Sequence, residues 1–228
     1  MKSAIIIPIG SHEQHGPHLP ADTDYLIAKA TGLELSNHFL IELDDGITIS
    51  YSPEHKGFEE TKSLTKKVFI AKIIEKLSFY EEKELRIIIN AHGGNTTILK
   101  DLEKQSLNRF ILIDVYTIMK EHFKLIRTTD IGGICHAGEF ETSLMLYLYP
   151  DLVHLEKVTP NQIKLVPKLD PNYEGIRLKD WKTIELNKFG ILGDPLQATK
   201  GKGQKWFSLL IQEIKYLLEI EIKLKKKE

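Results

Sequence analysis

The sequence predicts an α/β fold: a single-domain, three-layer arrangement with a mostly parallel central sheet flanked by helices. Three observations carry this expectation. Short β-branched runs alternate with helical patterns of ten to fifteen residues. The runs are apolar at consecutive positions, as in parallel strands covered on both faces. The chain has 228 residues, enough for one large domain with a real core, and no repeat, linker or low-complexity tract interrupts it.

The elements follow in order. Residues 3–9 form the first strand, with Ile5, Ile6 and Ile7 at its centre. Pro8 has no N–H to give a ladder, so it belongs near the strand's end. A helix is expected over 24–38, capped by Asp22 or Thr23. The stretch "GITISYS" (46–52) alternates like a strand. Residues 64–79 read as a helix whose apolar face comprises Val68, Ile70, Ala71, Ile73, Ile74 and Leu77. Buried strands are expected at 84–90 and 109–116. A helix starts near 138 and stops at Pro150, and a final helix runs over 203–224. Between 151 and 201 the pattern is weak and predicts loops with short strands.

Composition excludes several classes of function. The formal net charge is -1, so no global field favours nucleic acid. Cys135 is the single cysteine, which rules out an intrachain disulfide and suits a reducing compartment. The apolar run in "MKSAIIIPIG" is too short for a signal peptide or a membrane span. A cytoplasmic protein with no membrane partner is expected. The basic run at 223–228 reads as a solvated helix end.

Chemistry concentrates in three segments. "GSHEQHGPHLPADTD" (10–24) follows the first strand and carries Glu13, His15 and Asp24. In an extended loop, residues two apart project to the same side. "NAHGGN" (90–95) follows a later strand and carries His92, then two glycines that allow close backbone approach. "HAGEFETS" (136–143) places His136 before a helix whose first turn holds Glu139 and Glu141. In open α/β sheets the carboxyl ends of strands are where ligands bind. Carboxylates and imidazoles buried together need a cation to compensate them, and mixed His and carboxylate ligands suit Zn, Mn or Fe(II). Two metals bridged by one carboxylate would use this many ligands. His38, His55, His122 and His154 read as ordinary surface or core histidines, and Thr142 and Ser143 as packing residues.

"GSHEQHGPHLPADTDYLIA", "NAHGGN" and "HAGEFETSLMLYLYPDLV" resemble the creatininase family of metal-dependent amidohydrolases, with weaker echoes at 52–65 and 190–203. The resemblance implies two divalent metal ions, Fe2+, Zn2+ or Mn2+. One would take Glu13, Asp24 and His92, the other His15, Asp24 and Glu141, with Asp24 shared. It implies His136 as the acid that protonates the leaving nitrogen, substrate contacts at Gly93, Gly94 and Asn95, a small-molecule substrate and a homo-oligomer. Creatinine-cleaving members resemble "HxEN" at the second motif, where a Glu serves as base; this chain has Gly94. Glu139 is the candidate to replace that base or to touch substrate. His12 stands where the family usually has a small hydroxyl residue. "HGGN" is similar to an archaeal branch that includes a hydrolase releasing formate from a formamidopyrimidine nucleotide, on the route to riboflavin and the deazaflavin coenzyme. That leans the expectation towards a deformylase, ahead of a creatinine amidohydrolase-like cyclic amidase and of a non-catalytic metal-binding protein. For a nucleotide's phosphate the sequence offers Lys56, Lys62, Arg127 and Lys200.

Overall fold

The computed structural model describes residues 3–105 and 110–225. In chain order these form β1 (Ala4–Ile9), α1 (Thr23–Phe39), β2 (Glu42–Leu43), α2 (Lys66–Phe79), β3 (Leu85–Asn90), α3 (Thr96–Gln105) and β4 (Ile111–Asp114). There follow α4 (Val115–Met119), α5 (Phe123–Ile126), α6 (Glu139–Leu148), α7 (Thr183–Leu186) and α8 (Lys200–Lys225). The sheet order is β2-β1-β3-β4 and each pairing is parallel. The α/β expectation holds.

Consecutive isoleucines give the sheet two apolar faces, because successive side chains leave a strand on opposite sides. Ile6, Ile87 and Ile89 pack into one core with Ile27 and Leu35 of α1, Phe140 and Leu144 of α6, and Trp206, Leu210 and Ile214 of α8. Ile5, Ile7 and Ile88 pack into the other with Phe69, Ile73 and Leu77 of α2 and Ile98 and Leu99 of α3. At roughly 25 cal/mol per Å2 of apolar surface removed from water, these faces are the main term holding the layers together.

The differences from expectation have local causes. Residues 46–52 are not a strand: only Ile47 bridges Ile9, and the edge strand is β2 instead. Gly46 has φ +77° and packs so closely on Pro8 that a Cβ would lie 2.0 Å from the Pro8 carbonyl oxygen. The chain therefore turns there. Ile47 N–H donates to Pro8 O, on the side where β2 has already ended. In an extended strand a residue's N–H and C=O point the same way, so the N–H that proline lacks would have had no strand partner. Pro8 is thus tolerated in an interior strand. Val68 and Ile74 of α2 are exposed, since the buried stripe is the narrower Phe69, Ile73, Leu77 set at i, i+4 and i+8. Asp22 sits at the N-cap of α1 but makes no capping bond, its carboxylate being paired with His12 at 2.5 Å. Residues 151–201 hold 3-10 turns and α7, with no strand among the described residues. The run 223–228 extends beyond the described residues. No described helix is long and apolar enough to cross a membrane.

Candidate metal centre

Three loops leave the sheet at the carboxyl ends of β1 and β3 and at the start of α6, and they bring their side chains together. Glu13, His15, Asp24, His92, Glu141 and His136 converge, and His55 joins them. Their potential ligand atoms fall into overlapping groups: Glu13, His15 and Asp24; His15, His136 and Glu141; Glu13, His55 and His136, each within 4.8 Å.

Backbone contacts decide which ring nitrogen faces the centre. His15 Nδ1 lies 3.0 Å from the Glu13 carbonyl oxygen, which can only accept, so Nδ1 carries the proton. His15 Nε2 is left to face Asp24 Oδ1 at 3.1 Å and Glu141 Oε2 at 3.8 Å. Asp24 turns its other oxygen to His92, with Oδ2 3.0 Å from Nδ1. The same nitrogen is 3.3 Å from Glu13 Oε1. His136 Nε2 donates to the Gln14 carbonyl oxygen at 2.7 Å, which leaves its Nδ1 lone pair towards Glu13 Oε1 at 3.7 Å. The Gln14 side-chain amide has two N–H bonds. One goes to Gly190 O at 3.1 Å. Because His136 Nε2 is already a donor, the second goes to His55 Nδ1 at 3.1 Å. His55 Nε2–H then points at Glu13 Oε1, 3.2 Å away. Glu141 accepts from Ala137 N–H at 2.6 Å and from the Tyr116 hydroxyl.

The electrostatics describe a centre short of a cation. Burial pushes the Glu13 and Glu141 carboxyls up, Glu141 to about 7, against the pull of His92 and His15 respectively. Burial would push the His15 and His92 imidazoles down, but neighbouring carboxylates override it. The Asp24 carboxylate carries His15 to about 10, and Glu13 and Asp24 carry His92 well above its ordinary range. Asp24 resists burial because His15 and His92 hold it below the usual carboxylate range. His55 and His136 are driven the other way, by burial and by the other imidazoles. Glu13 Oε2, Asp24 Oδ2 and His92 Nε2 are buried without a hydrogen-bond partner among the described residues. Asp24 Oδ2 is near a nitrogen yet in no hydrogen-bond geometry, as two ligands of one ion would be. Tetrahedral ligands about 2.1 Å from a metal stand roughly 3.4 Å from each other, close to the spacings here. The residues fit a pair of divalent ions.

Other predicted residues fall elsewhere. Glu139 is not brought to this cluster. Its carboxylate accepts from the backbone N–H groups of Thr128 and Thr129, from the Thr129 hydroxyl and from Lys202 of α8. Burial raises its pKa, but Lys202 and those donors hold it below the usual carboxylate range. Its surroundings tie α6 to α8. Gly93 and Gly94 line a cavity of about 1150 Å3 above the cluster, together with Glu13, His92, His136 and Glu141. Asn95 does not line it; its side-chain amide donates to Asn90 Oδ1 in a buried network with Asp114. None of Lys56, Lys62, Arg127 and Lys200 lines the cavity, and Arg127 pairs with Asp170 at 3.0 Å. The cations in the wall are Lys100, Lys120, Arg177, Lys179 and Lys182. His55, Gln14 and Tyr116 are the site residues that sequence reasoning missed. His55 lies in the echo at 52–65 and Gln14 in the first motif, but nothing in either segment marks their part in the cluster, and Tyr116 lies in none of the motifs.

Residues 1–218 match the creatininase family model, described as creatinine amidohydrolase. The mycofactocin precursor peptide peptidase of Mycolicibacterium smegmatis is 29% identical over 218 residues, spanning 92% of this chain and 82% of the relative. The creatinine amidohydrolase of Pseudomonas putida is 25% identical over 232 residues, 92% of this chain and 86% of the relative. The 2-amino-5-formylamino-6-ribosylaminopyrimidin-4(3H)-one 5'-monophosphate deformylase of Methanobrevibacter smithii is 31% identical over 234 residues, 94% and 89% of the two chains. The solved structure described as "Creatininase Mn" aligns with a TM-score of 0.75 at 23% identity, covering 96% of this chain and 91% of that one. At that identity it shows the fold. Since the family match runs from β1 into α8 and takes in every loop that builds the cluster, the chain belongs to the creatininase family of metal-dependent amidohydrolases.

Proposed function

We propose that the protein hydrolyses a C–N bond of a small non-peptide amide, of the cyclic kind opened by a creatinine amidohydrolase. Carrying this reading is the convergence of Glu13, Asp24, Glu141 and their partner imidazoles in one cluster, whose Glu13, His92, His136 and Glu141 line a cavity. Glu13, Asp24 and His92 would hold one divalent ion and His15, Asp24 and Glu141 the other, with Asp24 shared. When bound, such ions supply Lewis acidity towards a carbonyl oxygen and towards water. The chain's own groups supply the rest. Neutral His136, its Nδ1 lone pair turned to the cluster, would take the proton that the attacking water gives up and pass it to the nitrogen as the C–N bond breaks. An amide needs that step because an amide anion is a very poor leaving group. Gly93 leaves the wall open, with nothing within 4 Å of where a Cβ would stand. Trp181 packs edge-on against His55, centroids 5.8 Å apart, and gives the wall an apolar side.

The cationic wall favours a second reading: the formamide of a nucleotide monophosphate, a deformylase of the riboflavin and deazaflavin route. Lys100, Lys120, Arg177, Lys179 and Lys182 would receive the phosphate. The test offers metal-loaded protein creatinine and other cyclic amides, the formamidopyrimidine nucleotide, and a short peptide. Ring opening, unaffected when Arg177 and Lys179 are both changed to Ala, supports the first reading. Formate release with a KM at least about tenfold higher in that double variant supports the second. Cleavage of the peptide alone, or no turnover by a protein that holds two metals, overturns both.

A further inference from the structure

We propose that Glu54 is a positioning residue of the metal centre. It holds His92 in the tautomer that binds through Nδ1, and Gly94 is glycine because it must leave room for the Glu54 carboxylate. The proposal rests on the metal reading above and adds a residue to it from a loop that supplies none of its ligands.

His92 lies between carboxylates on opposite sides. Nδ1 faces Asp24 Oδ2 at 3.0 Å and Glu13 Oε1 at 3.3 Å. Nε2 faces Glu54 Oε1 at 3.4 Å. A neutral imidazole carries one proton. If Nδ1 gives its lone pair to a cation shared with Asp24 and Glu13, the proton resides on Nε2 and points at Glu54. An imidazole that binds a metal usually donates its other N–H to a carboxylate, carbonyl or water, which fixes both tautomer and ring orientation. Here Nε2 is buried and in no completed hydrogen bond among the described residues, so its proton calls for the acceptor that Glu54 Oε1, 3.4 Å away, offers. Glu54 is the nearby carboxylate with freedom to close the gap, its side chain being 15% exposed against 5% for His92.

Gly94 makes the same point from the other side. Its backbone is not in the left-handed region, so the demand for glycine there is one of space. A Cβ would fall 2.3 Å from Glu54 Oε1 and 2.5 Å from His92 Nε2. Any side chain at 94 would begin where the Glu54 carboxylate meets the ring. Glu54 itself is held in a 3-10 turn, Pro53–His55, whose last residue is fixed beneath Glu13 by Gln14 and Thr183. The turn is therefore anchored on the centre, and its carboxylate is not a loose feature of the cavity wall.

The test compares Glu54→Ala and Glu54→Gln with the unsubstituted protein, full-length and reconstituted with Zn2+. Zinc affinity is read by competition with a chromophoric chelator, and the melting temperature of each metal-free protein reports its folding. Glu54→Ala should weaken one of the two zinc sites by about 10- to 100-fold. Glu54→Gln keeps an oxygen that accepts from Nε2–H, and it should retain most of the affinity. In zinc-loaded protein labelled with 15N-histidine, the Nε2–H proton of His92 should exchange slowly with water with Glu or Gln at 54 and markedly faster with Ala. Zinc affinity within twofold in Glu54→Ala, or equal losses in Ala and Gln, would overturn the assignment while leaving the metal reading intact. Failure of the unsubstituted protein to take up zinc would overturn both. Glu54→Leu keeps the bulk of the side chain without an acceptor, and it should show the same loss where Ala disturbs folding; zinc affinity within twofold in Glu54→Leu would likewise overturn the assignment.

Discussion

Asp24 is where the two-metal reading is most exposed to refutation. It is buried at the start of α1, and its oxygens face different imidazoles, His15 at 3.1 Å and His92 at 3.0 Å. A shared ligand of this kind belongs to both ions, so Asp24→Ala removes one donor from each. A ligand present at a thousand times its Kd stabilises the folded state by about 4 kcal/mol per site, hence about 8 kcal/mol for two ions. In a domain of this size each kcal/mol moves the melting temperature by about 2–4 °C, so loading should raise it by roughly 15–30 °C. The variant should lose nearly all of that rise. Metal-free Asp24→Ala should change less, because His15 and His92 then give up the protons that Asp24 helped them hold. The assay is thermal unfolding with and without Zn2+ or Mn2+, beside a metal count per chain. Two ions per chain with an undiminished thermal gain in Asp24→Ala would refute the shared-ligand argument.

The other variants separate roles that proximity alone leaves mixed. His136→Ala should lower kcat by about 10²–10⁴ with two metals still bound, since its Nδ1 is assigned to a proton and not to an ion. Metal loss in that variant would make His136 a ligand. His18 is buried at the back of the cluster, its Nε2 on the Thr142 hydroxyl at 3.0 Å, and burial followed by the nearby His15 pushes it down to about 3. A depressed histidine leaves stability whole above its unfolded pKa near 6.5 and erodes it as pH falls towards 3, by up to about 4–5 kcal/mol. His18→Asn should therefore flatten the acid limb of denaturant midpoint against pH while keeping both metals; an unchanged limb sinks this account. Glu139→Gln should lower the unfolding free energy by about 1–3 kcal/mol, because Lys202 loses its buried counter-charge, and leave KM untouched. A selective fall in kcat without loss of stability would restore Glu139 to the chemistry.

What the sequence disclosed follows from how far each signal reaches. The consecutive isoleucines of β1 and β3 announce a strand buried on both faces wherever they are read. The two-residue β2 has no such run, and its place was given to 46–52, where a Gly46 packed on Pro8 turns the chain. Helix α3 hid behind "HGGN", whose glycines read as loop although the helix begins at Thr96. In the site, ligand types clustered within short motifs, so Glu13, His15, Asp24, His92 and Glu141 were legible together. His55 was not, because it reaches Glu13 from more than forty residues away through Gln14, and no local spacing encodes that distance. Glu139 misled for the converse reason. It sits two residues from Glu141 on a helix, and residues two apart on a helix face different directions.

The metal-free cluster holds protons where it is built to hold ions, and that makes a countable prediction. His15, carried to about 10, and His92, carried well above its ordinary range, are both cationic at pH 7. Neither nitrogen can bind a metal until its proton leaves. Glu141, at about 7, is half protonated and adds roughly half a proton more. Loading two ions at pH 7 should therefore release between about two and three protons per chain. The His15 contribution to metal-free stability is complete below 6.5 and is lost as pH rises through about 10, so alkali weakens the metal-free protein while it favours the loaded one. Titration calorimetry in buffers of different ionisation enthalpy counts the protons directly. Binding of two ions with no proton release would mean that His15 and His92 do not ligate through the nitrogens that face Asp24. The centre would then have to be rebuilt around Glu13, His55 and His136.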